Sequence, residues 1–109
     1  MTIKCIEFHG TSLNDIKKFP DGIRQDAGYQ LHRVQLGENP SHWDSFPEIA
    51  PGVKEIKLKE GNDIFRVIYV TKFKDAIHVL HAFQKKDQVT RESDKKIARK
   101  RYKKLVNRR

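Results

Sequence analysis

A three-stranded antiparallel meander is predicted by residues 53–84, VKEIKLKEGNDIFRVIYVTKFKDAIHVLHAFQ. Apolar and polar residues alternate along much of this segment, which is typical of half-buried strands. The predicted strands are residues 53–60, 63–71 and 76–84. Gly61-Asn62 supplies the first turn because both residue types tolerate a positive φ, and Lys74-Asp75 is a weaker signal for the second. We therefore expect this meander to form the centre of the fold.

The segments on either side of the meander predict three helices and one further strand. The predicted elements are a short strand at 3–8, a short helix from Ser12 to Phe19, a helix from Pro20 to Leu36, an irregular stretch at 38–52, and a helix from Thr90 to about Val106. This order predicts an α+β fold with a small, mainly antiparallel sheet. Two N-terminal helices should cover one face, and a basic C-terminal helix follows the sheet. The length of 109 residues fits one domain spanning residues 1–109.

Two-residue turns fix which side chains share a face of the sheet. With a turn at Gly61-Asn62, Lys57 lies opposite Arg66. The predicted core face carries Ile56, Leu58, Phe65, Val67, Tyr69, Leu80 and Ala82, beneath the two N-terminal helices. The other face carries Lys57, Lys59, Arg66, His81 and Phe83, with Ile68, Val70, Ile77 and Val79 at its far end under the C-terminal helix.

The charge of the chain is concentrated in its last quarter. Residues 1–84 hold eleven basic and eleven acidic residues, and residues 85–109 hold twelve basic and three acidic, which accounts for the whole net charge of +9. Such a segment attracts polyanions, with an affinity that salt weakens. Its partner could be a nucleic acid or an acidic protein. The alternative is a basic helix that faces solvent and has no partner.

The remaining composition excludes several classes of protein. No apolar run approaches the length of roughly 18 residues that a membrane helix needs. Met1–Cys5 has no basic segment followed by an apolar one, so nothing indicates secretion. A single cysteine, Cys5, cannot form an internal disulfide, which favours the cytoplasm. We expect Cys5 to lie in the core.

The cationic face of the predicted sheet suits RNA. Lys57 opposite Arg66 is unusual because like charges across a ladder repel, and Phe83 lies beside them as a surface on which a base could stack. The alternative is that these cations simply face water, with Glu55 or Glu60 nearby. His78 and His81 should point to opposite faces of the sheet, with His78 on the core side, so we expect no shared metal.

At this point the sequence resembles the RelE/ParE superfamily of type II toxins, and most closely its phage-derived, HigB-like branch. The resemblance covers nearly the whole chain. Its most specific segments are residues 53–58, residues 65–70, and residues 79–86, where Leu-His-Ala-Phe-Gln-Lys-Lys follows a strand that carries an arginine.

The resemblance implies an mRNA endonuclease that acts in the ribosomal A site without a metal or another cofactor. It implies catalytic roles for Lys57, Arg66 and Lys85. His81 is added as a candidate for proton transfer because it is the side chain on that face whose ordinary pKa lies near 7, and a structural histidine beneath the C-terminal helix is the alternative. RNA contacts are expected from Lys59, Phe83, Lys86, Lys95 and Arg99, with the basic tail binding ribosomal RNA. It also implies a cytoplasmic protein whose partner is a helix-turn-helix antitoxin, in an oligomeric toxin–antitoxin complex.

Two other functions stay open on the sequence. Members of the ParE type share the fold and inhibit gyrase, but they usually lack a cationic sheet face. A non-catalytic RNA- or ribosome-binding module would use the basic tail alone. A further possibility is a degenerate toxin, which folds and binds its antitoxin but does not cleave mRNA. Some RelE toxins carry a second arginine and a tyrosine at and after the last strand, where this chain has Lys85 and Lys86.

Overall fold

The structure is a computed structural model that describes residues 3–108. Its elements are β1 (Cys5–Phe8), α1 (Ser12–Lys17), α2 (Asp21–Gln35), β2 (Trp43–Ser45), β3 (Val53–Glu60), β4 (Asp63–Val70), β5 (Ala76–Lys85) and α3 (Glu92–Asn107). Met1 and Thr2, which we searched for a secretion signal, and Arg109 of the basic tail lie outside the described residues. Among residues 3–108, no helix is both long enough and apolar enough to cross a membrane.

The strands form one mixed sheet in the order β1-β5-β4-β3-β2. Strand β1 pairs with β5 in parallel, and the other three pairings are antiparallel. The α+β class is thus confirmed. Strand β2 was not predicted, because it is only three residues long and lies in the proline-containing stretch 38–52. It pairs with residues 54–56 at the edge of the sheet.

Helices α1 and α2 cover one face of the sheet, as the apolar pattern predicts. The stripe Ile23, Ala27, Leu31 and Val34 of α2 is buried against Ile56, Leu58, Phe65, Val67 and Tyr69 of β3 and β4. The predicted register between these two strands is confirmed, with Lys57 opposite Arg66 and Glu60 opposite Asp63. Gly61 in the connecting turn has a φ of 60°, which agrees with the expected turn chemistry.

The predicted register between β4 and β5 is wrong beyond Ile68. Ile68 pairs with His81 as expected, but an irregularity follows, and Tyr69 pairs with Val79 rather than with Leu80. A bulge of this kind places one extra residue in one strand and exchanges the faces of all residues beyond it. Leu80 therefore packs on the α3 side.

The same bulge corrects the faces assigned to Ile77, Val79 and His78. Ile77 and Val79 belong to the core beneath α1 and α2, not to the opposite face. His78 pairs with Val70, whose side chain is buried on the α3 side, so His78 and His81 lie on the same face. Cys5 is exposed rather than buried in the core.

Helix α3 packs across the second face of the sheet through a short apolar stripe. Ala98 and Leu105 are fully buried against residues such as Ile68 and Leu80, and Tyr102 packs partly against the same cluster. Arg101 Nη1 donates to the carbonyl of Leu80 at 3.0 Å, at the bulge. The helix begins at Glu92 with Arg91 as its N-cap, two residues later than predicted.

Candidate nucleic-acid interface

The predicted cationic row forms at the end of the sheet where β3 and β4 are joined by their turn. Lys57, Arg66 and Phe83 are direct cross-strand neighbours, and Lys59, Ile64 and Lys85 form the next row. An open cleft of about 530 Å³ lies beside these rows. Its lining comprises Asp26, His42, Lys57, Leu58, Lys59, Ile64 and Arg66. Four cations of the predicted site, Lys57, Lys59, Arg66 and Lys85, are therefore adjacent in the fold.

Two carboxylates relieve the repulsion between Lys57 and Arg66. The Lys57 ammonium lies 2.7 Å from Asp44 Oδ2, and Arg66 Nε lies 3.8 Å from Glu55 Oε1. The hydrogen bond from Lys57 holds the pKa of the Asp44 carboxyl below its ordinary value. The like-charged pair is thus tolerated because each cation has its own counter-charge, one from β2 and one from β3.

Arg66 is buried without being fully hydrogen-bonded. It is 7% exposed, and its Nη1 donates to the Phe65 carbonyl at 3.1 Å. Its Nε and Glu55 Oε2 find no hydrogen-bond partner within residues 3–108. Buried donors of this kind are costly unless they bind something. Arg66 is also one of the residues that line the cleft, so it is placed to bind an anion there.

Glu55 is a functional candidate that the sequence analysis named only as a neighbour of the cations. It lies on the α3 side of the sheet and pairs with Asp44 of β2 on one side and with Ile68 of β4 on the other. Burial raises the pKa of the Glu55 carboxyl, and the charges of Arg66, Lys85 and Lys57 oppose that rise without overcoming it. A carboxyl with a raised pKa beside a buried arginine is suited to accepting a proton. The signal in the sequence was the alternation that puts Glu55 on the same face as Lys57.

The raised pKa of Glu55 predicts a specific pH dependence of stability. The unfolded chain releases the Glu55 proton at a lower pH than the folded chain, so the free energy of unfolding falls as pH rises through that interval. In Glu55→Gln this decline should be absent. Urea unfolding of both proteins between about pH 3.5 and pH 8 measures this effect. The free energy of unfolding of the wild type minus that of the variant should decrease as pH rises and then level off. A difference that increases with pH over this range would contradict the assignment.

His81 and Phe83 are on the expected face but are packed beneath α3. His81 Nε2 lies 2.8 Å from Asp94 Oδ1 of α3, and the rings of His81 and Phe83 stack with centroids 5.0 Å apart. Phe83 is 9% and His81 5% exposed. His81 Nδ1 is buried and has no hydrogen-bond partner among the described residues. The two rings are therefore buried next to Arg66, the cross-strand neighbour of Phe83, and are not open to solvent.

Two of the residues expected to contact RNA, Lys95 and Arg99, lie in α3. Lys95 lines a second cleft, of about 410 Å³, together with Glu55 and Lys85. Its ammonium lies 2.7 Å from Glu48 Oε2, and Arg99 Nε donates to the Glu48 carbonyl at 3.2 Å. Arg99 also pairs with Glu92. Lys95 and Arg99 therefore attach the stretch 38–52 to α3, and only Lys95 reaches the neighbourhood of the cationic row.

Helix α3 presents other cations to solvent that the sequence analysis did not select. The exposed basic residues of its outer surface are Lys96, Lys100, Lys103 and Lys104. Their spacing of three and four residues, on the side of the helix away from Ala98 and Leu105, was the available signal. Lys86, just beyond β5, is also exposed. These side chains form a diffuse positive surface, separate from the cationic row of Lys57, Lys59, Arg66 and Lys85.

The fold and the site define a small α+β protein with a cationic sheet face suited to a phosphate backbone. The family described as "Phage derived protein Gp49-like (DUF891)" matches residues 14–103. The chain belongs to this family, which is a RelE/ParE-like toxin family associated with toxin–antitoxin systems, and such a toxin implies an antitoxin partner. No curated protein matches the chain.

Proposed function

We propose that this protein is the toxin of a type II toxin–antitoxin system and that it cleaves mRNA on the ribosome. The domain is RelE-like, of the HigB-like branch, and spans residues 1–109. The observation that supports this function is the row of Lys57 and Arg66 beside an open cleft, with Arg66 buried and not fully hydrogen-bonded. Its membership in the Gp49-like family supports the toxin role.

The chemistry we propose is attack of the RNA 2′-hydroxyl on the adjacent phosphate, which expels the 5′-oxygen of the next nucleotide. The reaction needs a proton acceptor, a proton donor and cations that stabilise the charge of the in-line transition state. Arg66 would bind the scissile phosphate through its guanidinium once RNA displaces the contact of its Nε with Glu55, and Lys57 and Lys59 of β3 would lie beside the phosphate. These side chains act without a metal or another cofactor in this proposal.

Proton transfer is assigned to groups adjacent to Arg66. Glu55 would accept the 2′-hydroxyl proton when RNA displaces its contact with Arg66, which lies at 3.8 Å. Lys85, a cation beside Glu55, would donate a proton to the leaving 5′-oxygen. His81 is hydrogen-bonded to Asp94 of α3 and stacks on Phe83. It could transfer a proton only if α3 opened locally to let it reach the substrate.

The proposed partners follow from the two charged surfaces. The cationic row contacts the mRNA in the ribosomal A site, while Lys86, Lys95, Arg99 and the outer surface of α3 contact ribosomal RNA. A helix-turn-helix antitoxin would cover the cleft and bind operator DNA, in an oligomeric complex in the cytoplasm.

A second candidate function, a non-catalytic ribosome-binding module, is favoured by one observation. Lys57 and Arg66 already have carboxylate partners, whereas four lysines of α3 face solvent. In such a module the cationic row would be structural, and α3 would supply the affinity. A ParE-like gyrase inhibitor is the remaining alternative.

Purified protein incubated with a defined mRNA, either free or bound to 70S ribosomes, tests the proposal. We expect cleavage of the ribosome-bound mRNA only, leaving a 2′,3′-cyclic phosphate and a 5′-hydroxyl. Because the binding is partly electrostatic, its affinity should fall as salt rises. Binding to ribosomes without cleavage would contradict the nuclease and support the module. Inhibition of gyrase in place of either result would support the ParE-like alternative.

A further inference from the structure

Three metal-binding side chains converge at the edge of the sheet occupied by β1. Glu7 lies in β1 directly beside His78 of β5, and His9 follows two residues later. Glu7 lies on the face of the sheet that carries His78 because the two residues are paired, and His9, one residue beyond the end of β1, contacts His78 directly. One ligand atom from each of the three residues lies within 4.8 Å of the others. This cluster has no role in the proposed RNA site.

The distances between these atoms match a tetrahedral metal site. His9 Nε2 lies 2.9 Å from His78 Nδ1 and 3.2 Å from Glu7 Oε2, and His78 Nδ1 lies 3.9 Å from Glu7 Oε2. Ligands at the Zn–N and Zn–O distances of about 2.0–2.1 Å in a tetrahedron are roughly 3.3–3.4 Å apart. The three observed separations bracket that value, so small movements of the side chains would accommodate the ion.

A carboxylate behind His78 orients this ligand. His78 Nε2 lies 3.2 Å from Asp75 Oδ1, which selects the tautomer with a proton on Nε2 and a lone pair on Nδ1. Carboxylate–histidine–zinc arrangements of this kind are usual around bound zinc. The imidazole of His78 is fully buried, so the side chains packed around it hold its ring in place.

We propose that Glu7, His9 and His78 bind one divalent transition-metal ion, with Zn²⁺ favoured by the two-nitrogen, one-oxygen ligand set, and that Asp75 is a positioning residue. Three protein ligands leave the fourth tetrahedral position for water. Two arginines lie near the cluster: Arg108 Nη2 is 2.5 Å from Glu7 Oε2, and the charge of Arg101 also acts on His9. Metal binding would displace Arg108 from Glu7.

The ion would join the edge strand β1 to β5. Strand β1 is only four residues long, and β5 is its pairing partner in the sheet. His78 precedes Phe83 by five residues along β5, which is about 16 Å. The proposed metal site is therefore remote from the cationic row, and the ion takes no part in the proposed RNA cleavage. The expectation of no metal rested on comparing His78 with His81, whereas the second histidine comes from the parallel partner strand.

Titration of the chelator-treated full chain with Zn²⁺, and with Co²⁺ as a visible probe, tests this proposal. We expect one equivalent of either ion to bind, an absorption spectrum of four-coordinate Co²⁺, and a rise in Tm on binding. Glu7→Gln and His9→Gln should each weaken binding at least about tenfold, and Asp75→Asn by about 10- to 100-fold. Replacing the fully buried His78 risks unfolding, so these three variants carry the test.

Two controls separate this site from adventitious binding. Cys5→Ser removes the exposed thiol of the same strand, and His32→Gln removes an exposed histidine of α2. Both variants should bind the metal as the wild type does, and Arg108→Ala should bind it more tightly. The absence of one-to-one binding, or binding that is lost in Cys5→Ser and kept in His9→Gln, would overturn the proposal.

Discussion

Replacing Arg66 with alanine is expected to lower the rate of mRNA cleavage about 100- to 1,000-fold while leaving ribosome binding largely unchanged. A preorganised donor that stabilises transition-state charge typically contributes this much. Arg66 is the cation of the row that is both buried and incompletely hydrogen-bonded, so it is the best placed to bind a phosphate tightly. Single-turnover cleavage of ribosome-bound mRNA measures the rate, and co-sedimentation with ribosomes measures the binding.

Controls for this prediction must address folding, because Arg66 is the counter-charge of Glu55. Arg66→Lys keeps a positive charge and should fold, yet it loses the planar fork that binds a phosphate in two places. It should therefore lose most of the cleavage rate. Arg24→Ala, which removes a partly exposed arginine of α2, should cleave at the wild-type rate. Equal activity of Arg66→Lys, Arg66→Ala and wild type would remove Arg66 from the site.

Leu105→Ala should lower the free energy of unfolding by about 3 kcal/mol, and the Tm by roughly 10 °C or more. Leu105 is fully buried near the C-terminus of α3, against the second face of the sheet. Truncation removes apolar contacts and leaves a cavity between helix and sheet. Thermal and urea unfolding, followed by circular dichroism, measure the effect.

The neighbouring residue provides the matched control. Val106 is 40% exposed, so Val106→Ala should change the free energy of unfolding by no more than about 0.5 kcal/mol. Because α3 carries Asp94 and Lys95, partial detachment in Leu105→Ala should also weaken cleavage at temperatures where the protein is still folded. If Leu105→Ala and Val106→Ala were equally stable, the packing of α3 on the sheet would be wrong.

The parts of the fold that were predictable are those specified by short-range chemistry. The Gly61-Asn62 turn set the register of β3 against β4, and so placed Lys57 opposite Arg66. The helical stripe of α2 identified its buried face without any knowledge of the sheet. In both cases the information lies within a few residues of the element that it determines.

The parts that were missed depend on contacts between distant segments. The bulge opposite Tyr69 has no local signal, because the connection at Lys74-Asp75 does not fix the register as a tight turn would. The pairing of β1 beside β5 brings His9 to His78, a separation of 69 residues. Residues 43–45 form a strand only because β3 offers them an edge, so their sequence alone carried too little information.

The chemistry of the site was predicted less completely than its position. The alternation of residues placed the cations on one face, and it also placed Glu55 there. It could not show that Glu55 and Asp44 engage two of the cations, nor that Arg66 is buried, because those features depend on how β2 and the stretch 38–52 fold back over the sheet. For the same reason, it could not show that Lys95 and Arg99 both contact Glu48.

The most direct test of the central claim is a map of cellular mRNA 5′ ends shortly after this protein is induced without an antitoxin, with Arg66→Ala as the parallel control. We predict growth arrest together with new 5′ ends that lie within translated reading frames and are absent in the variant. Growth arrest without new ends, or new ends that are unchanged in Arg66→Ala, would contradict a ribosome-dependent endonuclease whose site contains Arg66.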